Sequence, residues 1–321
     1  MSLGEFDLIR QFFTRRPTRA VLGVGDDCAL LSPTPGQQWA VSTDLLVEGR
    51  HFLSTVPPDR LGHKALAVNL SDLAACGATP VAFTLSLSLP RVDEPWLKAF
   101  SRGLFALADR VGIELVGGDT TAGPLTVGIT VMGEVPPGQA LLRSGAHVGD
   151  QLWVSGSLGD ARLALEAFRG TVSLSGPAFE RVRLRMEQPE PRVSLGQALR
   201  GIASSAIDLS DGLVGDLGHI LQACGVGARV DSSCLPCSAD LLAQPEPVRR
   251  QCVLSGGDDY ELLFTAASSA ELAVRRAAGT AGVEVTPVGL IVAAPGLSVH
   301  DGEGHPVDLA AHAGFDHFSH P

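Results

Sequence analysis

Residues 64–89 read KALAVNLSDLAACGATPVAFTLSLSL. The first part carries Leu66, Leu70 and Leu73 at helical spacing, within a segment that opens at Pro58-Asp59 and runs to 75. The second part, VAFTLSLSL (81–89), alternates strictly. Val81, Phe83, Leu85, Leu87 and Leu89 stand against Ala82, Thr84, Ser86 and Ser88, the period of a half-buried strand. Outward from this helix–strand unit, LTVGITV (125–131) repeats the alternation. Between the two strands Asp93 can cap a helix with Pro95 in its first turn. Trp96, Phe100, Leu104, Leu107 and Val111 follow at helical spacing. A second series begins after PPGQ (136–139). It has strands at 151–156, 261–266 and 283–292, the last two with a helix between them, and helices at 158–169, 178–187, 193–203 and 212–224. Pro-rich turns at 136–137, 189–191 and 245–247 punctuate the chain. The expected fold class is α/β (α+β), with one domain over 1–137 and another over 138–321. GGD recurs at 117–119 and 256–258, a slight sign of related halves.

The 321 residues suffice for two domains and a sizeable core. Hydrophobic residues make up 45%, as in a globular chain, and charged residues only 18%, so the placement of each acid carries information. A net charge of −11 argues against nonspecific nucleic-acid binding. It leaves room for an anionic nucleotide, because bound cations can invert the local charge. MSLGEFDLIRQFF lacks the pattern of a signal peptide, and no apolar run has the length of a membrane span. Cys234 and Cys237 form a lone CxxC without a partner pair, which reads as reduced cysteines in a loop. The expectation is a soluble, cytoplasmic protein.

Aspartates recur in Gly/Ser/Thr contexts: GVGDDCA (Asp26, Asp27), VSTDLL (Asp44), NLSDLA (Asp72), VGGDTT (Asp119), IDLSDGL (Asp208, Asp211) and SGGDDYEL (Asp258). Carboxylates among small residues can converge on hard cations, and magnesium typically bridges protein carboxylates to substrate phosphates. The pattern suggests a phosphoryl-transfer site assembled from many loops. Each motif also has a plainer reading. GVGDDCALL has neither a Walker A loop nor a GxGxxG fingerprint and could be a turn with solvated acids. Ser42, Thr43 and Asp44 at a strand end offer an oxygen-ligand set, or a cap or turn. His51 could meet an anion or be structural, and Arg143 could grip a phosphate or be a surface arginine. VGGDTT, after the strand IELV, allows close backbone approach to a phosphate or forms a simple turn. Asp72 resists dismissal, because Asp is a poor helix-interior residue and a partly buried unpaired carboxylate is costly. In AIDLSDGL a strand delivers Asp208, and Ser210 and Asp211 stand at a helix start. A cap accounts for one of those acids but not for both.

Taken in order and spacing, GEFDLI, GDDCA, STD, GRHF, KALAVNLSDLAACGA, GGDTT, RSGA, IDLSDGL and SGGDDYEL resemble the thiamine-monophosphate kinase family, from Gly4 to the terminal GFDHF. Single motifs are shared with a superfamily that includes aminoimidazole ribonucleotide synthetase, selenophosphate synthetase and hydrogenase-maturation dehydratase. The resemblance implies a two-domain aminoimidazole ribonucleotide synthetase-like fold. It implies transfer of the ATP γ-phosphoryl group to thiamine monophosphate, several Mg2+ ions, and a homodimer whose N-terminal domains share a barrel. It implies metal ligation by Asp27, Ser42, Thr43, Asp44, Asp72, Asp119, Asp208 and Asp211, with Asp26 as a neighbour. ATP contacts fall on Gly118, Asp119, Arg143 and Ser210, and substrate contacts on His51, Asp258 and His312. Two positions depart from the family pattern. Asp258 stands where a glutamate is usual, and His312 where an aromatic residue, often Trp, is usual.

The acceptor is itself a phosphate and is already ionised near neutrality, so no general base is expected. Positioning and cation stabilisation should suffice for direct in-line transfer. The alternatives are another ATP-dependent enzyme of the superfamily, or a noncatalytic nucleotide- or thiamine-phosphate-binding protein.

Overall fold

The computed structural model describes residues 4–310 and divides the chain into two compact units. The first comprises the chain through Leu73 together with Ala78–Gly138. The second comprises Ala74–Gly77 and the chain from Gln139 onward.

The first unit opens with a short helix α1 (Glu5–Leu8), continued as a π-helical turn over Ile9–Phe13. Its sheet contains β1 (Gln38–Val47), β2 (Thr79–Leu89), β3 (Glu114–Ala122) and β4 (Thr126–Val135) in the order β1-β4-β2-β3. β4 runs antiparallel to both β1 and β2. β2 and β3 are parallel, and a parallel pair needs a crossover, which α3 (Glu94–Val111) supplies. Asp93 caps α3 as its position predicts, its carboxylate accepting from the Trp96 amide at 3.1 Å. Helix α2 (Pro58–Ala75) lies so close to α3 that a Cβ on Gly62 would sit 2.1 Å from the Phe100 carbonyl oxygen, and one on Gly103 would sit 1.8 Å from that of Asp59. Phe83, Leu85 and Leu87 of β2 are buried, while Thr84, Ser86 and Ser88 point to the other face and are not.

The second unit holds β5 (Asp150–Ser155), β6 (Ser205–Asp208), β7 (Gly227–Asp231), β8 (Leu262–Ala267), β9 (Val285–Val292) and β10 (Gly296–His300), ordered β10-β7-β9-β5-β8-β6. Around it run α4 (Asp160–Phe168), α5 (Gly176–Glu187), α6 (Val193–Ala198), α7 (Leu213–Cys224), α8 (Ala239–Leu242), α9 (Glu246–Ser255) and α10 (Glu271–Ala281). Leu152 and Val154 of β5, Leu163 of α4, Leu217 and Ile220 of α7 and Leu263 of β8 belong to one core cluster.

Three sequence expectations are corrected. Ser42, Thr43 and Asp44 lie mid-strand in the ten-residue β1, not at a strand end. VGGDTT does not leave its strand as a turn but continues β3 as an edge strand. Its glycines are accommodated by a bulge opposite Phe83/Thr84. The proline-rich 245–247 stretch is a helix start, with Pro245 as N-cap and a proline in the first turn of α9, where a missing N–H costs nothing. Among the described residues no helix is long and apolar enough to cross a membrane.

Candidate active site

In the first unit a cavity of about 550 Å³ is lined by Asp26, Asp27, Thr84, Gly117, Gly118 and Asp119, with Phe6 and Ile9 beside them. β3 reaches it through the bulge. Gly118 has φ +142°, and a Cβ there would lie 1.9 Å from the Leu85 carbonyl oxygen, so only glycine lets the edge strand follow this path. The register sets Asp119 opposite Ser86. On the other wall Gly25 (φ +127°) turns the chain, and the Asp27 amide donates to the Asp26 carboxylate at 2.8 Å. That bond gives Asp26 a local structural role and leaves both acids exposed. The chain leading to this wall is tied to β3 by Glu114. Its carboxylate accepts from the amides of Thr18 and Arg19, each at 2.9 Å, and of Ala20 at 3.2 Å. Burial works to raise the Glu114 pKa, but these hydrogen bonds and the Thr18 hydroxyl together hold it below its ordinary value.

The second cluster of the first unit joins α2 to β1. Ser42 donates its hydroxyl to Asp72 at 2.5 Å, which is how the helix-interior carboxylate is compensated. One turn earlier, the buried Asn69 accepts the Asp44 amide at 3.0 Å and donates to Ala65 O at 3.0 Å. Strand alternation places Ser42 and Asp44 on one face and Thr43 on the other. The Thr43 hydroxyl donates to Ile129 O and accepts from Thr130, both at 3.0 Å. The three residues therefore do not form one donor set. Just past β1, His51 Nδ1 accepts the Val47 amide at 3.0 Å, which fixes the proton of the neutral ring on Nε2.

In the second unit β6 ends on the buried Asp208, and the chain passes through Ser210 and Asp211 to Gly212, the N-cap of α7. The cap function falls not to Asp211 but to Asp216. Its buried carboxylate reaches back to accept the amides of Asp211 and Gly212, each at 3.1 Å. Burial pushes Asp216 up to about 7, against the pull of those amides. Sequence reasoning missed Asp216; the available signal was an acid four residues beyond a glycine that opens a helix. The loop Gly256–Tyr260 is stitched alongside, with the Asp258 amide donating to Ser210 O at 2.9 Å and the Tyr260 amide to Leu209 O at 2.8 Å. Arg143 is exposed, and its carbonyl accepts from the Cys224 thiol at 3.4 Å. His312 lies outside the described residues.

Among the described residues no three His, Cys, Asp or Glu side chains gather to hold a metal ion by themselves. The donors present are nonetheless all oxygen, from carboxylates and hydroxyls. That chemistry fits magnesium, which takes one or two carboxylates and completes its shell with substrate phosphates and water.

Residues 25–135 match the AIR synthase related protein, N-terminal domain, and residues 147–302 match the C-terminal domain of the same group. A thiamine-monophosphate kinase of Salmonella typhimurium is 47% identical over 328 residues, covering 100% of both chains. The chain belongs to the thiamine-monophosphate kinase family. Its fold is the family's fold. The crystal structure of thiamine-monophosphate kinase from Stenotrophomonas maltophilia superimposes with a TM-score of 0.86 at 45% identity, covering 96% of this chain and 99% of that one. A second family structure, AaThiL complexed with AMPPCP and TMP, has a TM-score of 0.77 at 29% identity, covering 89% of each chain.

Proposed function

We propose that the protein is an ATP-dependent thiamine-monophosphate kinase, moving the γ-phosphoryl group of ATP onto the phosphate of thiamine monophosphate to give thiamine diphosphate and ADP. The full-length identity to the Salmonella kinase carries this reading. The relative complexed with AMPPCP and TMP supports the pairing of a nucleoside triphosphate with thiamine monophosphate.

The difficulty of the reaction is the approach of two anions. Magnesium, when bound, supplies the charge that offsets their repulsion. Asp27, Asp44, Asp72, Asp119, Asp208 and Asp211 are the carboxylates we assign to holding several Mg2+ ions, one or two to each ion, with Ser42 as a hydroxyl ligand. Thr43 leaves this set because its hydroxyl is turned to Thr130. Ser42 fixes the Asp72 carboxylate, and Asn69 fixes the backbone at Asp44, so these acids are oriented before any ligand arrives. Gly118 lets the backbone approach a phosphate closely, and with Asp119, Arg143 and Ser210 it is assigned to ATP. His51, Asp258 and His312 are assigned to thiamine monophosphate. His51 would present Nε2–H as a donor to the acceptor phosphate. The acceptor oxygen carries its own charge, so none of these residues has to remove a proton.

The functional unit we propose is a homodimer formed through the first unit's sheet, working in the cytoplasm where ATP is regenerated. Trp39, Val41 and Leu45 of the edge strand β1 are exposed on the face opposite Ser42 and Asp44, an unusual concentration of apolar groups on an edge strand.

The test is incubation with ATP, Mg2+ and thiamine monophosphate, with thiamine diphosphate and ADP measured together. Equal formation of both is expected. ATP binding without either product would point to a noncatalytic protein. ADP formation without thiamine diphosphate would point to another acceptor.

A further inference from the structure

The loop that carries Asp258 is held in a conformation it would not adopt on its own. Asp258 and Tyr260 have φ of +68° and +50°. Both lie in the left-handed region that non-glycine residues, bulky ones above all, seldom enter. The intervening and following side chains point inward and clamp the loop. Both oxygens of the buried Asp259 accept the Gly159 amide at the start of α4, at 3.0 and 2.9 Å. Glu261, with no exposed surface, accepts from Ser155 at 2.6 Å, from Arg185 at 2.7 Å and from both nitrogens of the Arg192 fork at 2.6 and 2.5 Å. The packing is tight enough that a Cβ on Gly156 would lie 2.2 Å from the Glu261 carboxylate. Buried charge of this kind holds geometry more than it adds stability. What the clamp leaves on the other side of the loop is Asp258, only partly buried, with the hydroxyl of the buried Tyr260 donating to its Oδ1 at 3.1 Å.

We infer that Tyr260 is a positioning residue for the acceptor substrate, orienting the Asp258 carboxylate through its hydroxyl on a backbone that Asp259 and Glu261 clamp in the left-handed region. The inference deepens the proposed function and rests on its assignment of Asp258 to thiamine monophosphate. It also gives a reason for the strain. With Tyr260 at φ +50°, its hydroxyl meets the carboxylate two positions earlier.

The experiment is a double-mutant cycle in steady-state kinetics on the full chain: wild type, Tyr260→Phe, Asp258→Ala and the double variant, each with thiamine monophosphate and ATP varied separately. Loss of one hydrogen bond to a carboxylate should raise KM for thiamine monophosphate about tenfold in Tyr260→Phe. KM for ATP and the thermal midpoint should stay where they are. Adding Tyr260→Phe to Asp258→Ala should produce no further rise, because the hydroxyl then has no acceptor at position 258 to orient. An unchanged KM in Tyr260→Phe, or effects that multiply in the double variant, overturns the positioning role. Equal losses for both substrates with a lowered thermal midpoint overturn it too, marking Tyr260 as part of the scaffold only. A wild-type protein that makes no thiamine diphosphate overturns the functional reading and this inference together, an outcome separate from the others.

Discussion

Asp72 shows how a single side chain can be both locally unfavourable and locally satisfied. Aspartate in the interior of an 18-residue helix works against helix propensity, and the cost is offset by the Ser42 hydroxyl on the neighbouring strand. The carboxylate that Ser42 orients is also the kind of oxygen ligand that magnesium takes. Asp72→Asn separates the two roles. The amide oxygen can still accept from Ser42, so the fold should survive with its thermal midpoint unchanged. The negative charge is gone, and kcat should fall about 100-fold or more, the scale of losing one preorganised electrostatic group. Rates near wild type at saturating magnesium would remove Asp72 from the metal-binding set. This residue was legible in the sequence because its context was wrong for a surface acid. Asp216 and Glu261 were not, since an acid in a first helical turn or in a strand-leading DYEL has an ordinary reading until its buried partners are known.

At the scale of elements, the alternation of β2 and the spacing of α2 and α3 were readable because each has one buried face and a long enough run to show its period. β1 was harder to see. It is an edge strand whose apolar side chains Trp39, Val41 and Leu45 are exposed, and the polar run Ser42-Thr43-Asp44 interrupts the alternation, so STD looked like a strand end. β3 was cut short for a related reason, since GG ordinarily breaks a strand and only the neighbouring Leu85 backbone shows why glycine is needed inside this one. β3 also holds the Thr18–Ala20 amides through Glu114, and this element makes a pH-dependent prediction. A carboxylate whose folded pKa lies below its unfolded value of 4.5 adds stability that is present above that value. The contribution is lost as pH falls through the lower folded value. Glu114→Ala should therefore lower stability at pH 7 by about 1 kcal/mol, the worth of the amide hydrogen bonds it forfeits. The gap from wild type, read from urea midpoints, should narrow as both proteins are taken below that folded value. A gap of equal size at neutral and acidic pH would show that the carboxylate charge is not what holds the Thr18–Ala20 amides.

For the molecule as a whole, the exposed apolar face of the first unit's sheet bears on its oligomeric state. An edge strand that is ten residues long and carries exposed apolar side chains is a liability in an isolated protein, because such a strand can associate with another chain. Natural edges are usually blunted with charge. β1 instead places Val41 at 63% and Leu45 at 57% exposure on the face shared with Thr43 and Thr130. A second copy of the same face would cover both, and twofold pairing is the commonest way such a patch is closed. Val41→Glu puts a carboxylate into that proposed interface without touching Ser42, Asp44 or Asp72, whose side chains lie on the other face. Its burial there would cost several kcal/mol unless the dimer opened. Wild type should elute from size exclusion with light scattering at twice 33.4 kDa and Val41→Glu at 33.4 kDa, with an unchanged far-UV spectrum. If wild type runs as a monomer, or if Val41→Glu keeps the dimer mass, the sheet face is not the dimer contact and the exposed apolar residues of β1 need a different partner.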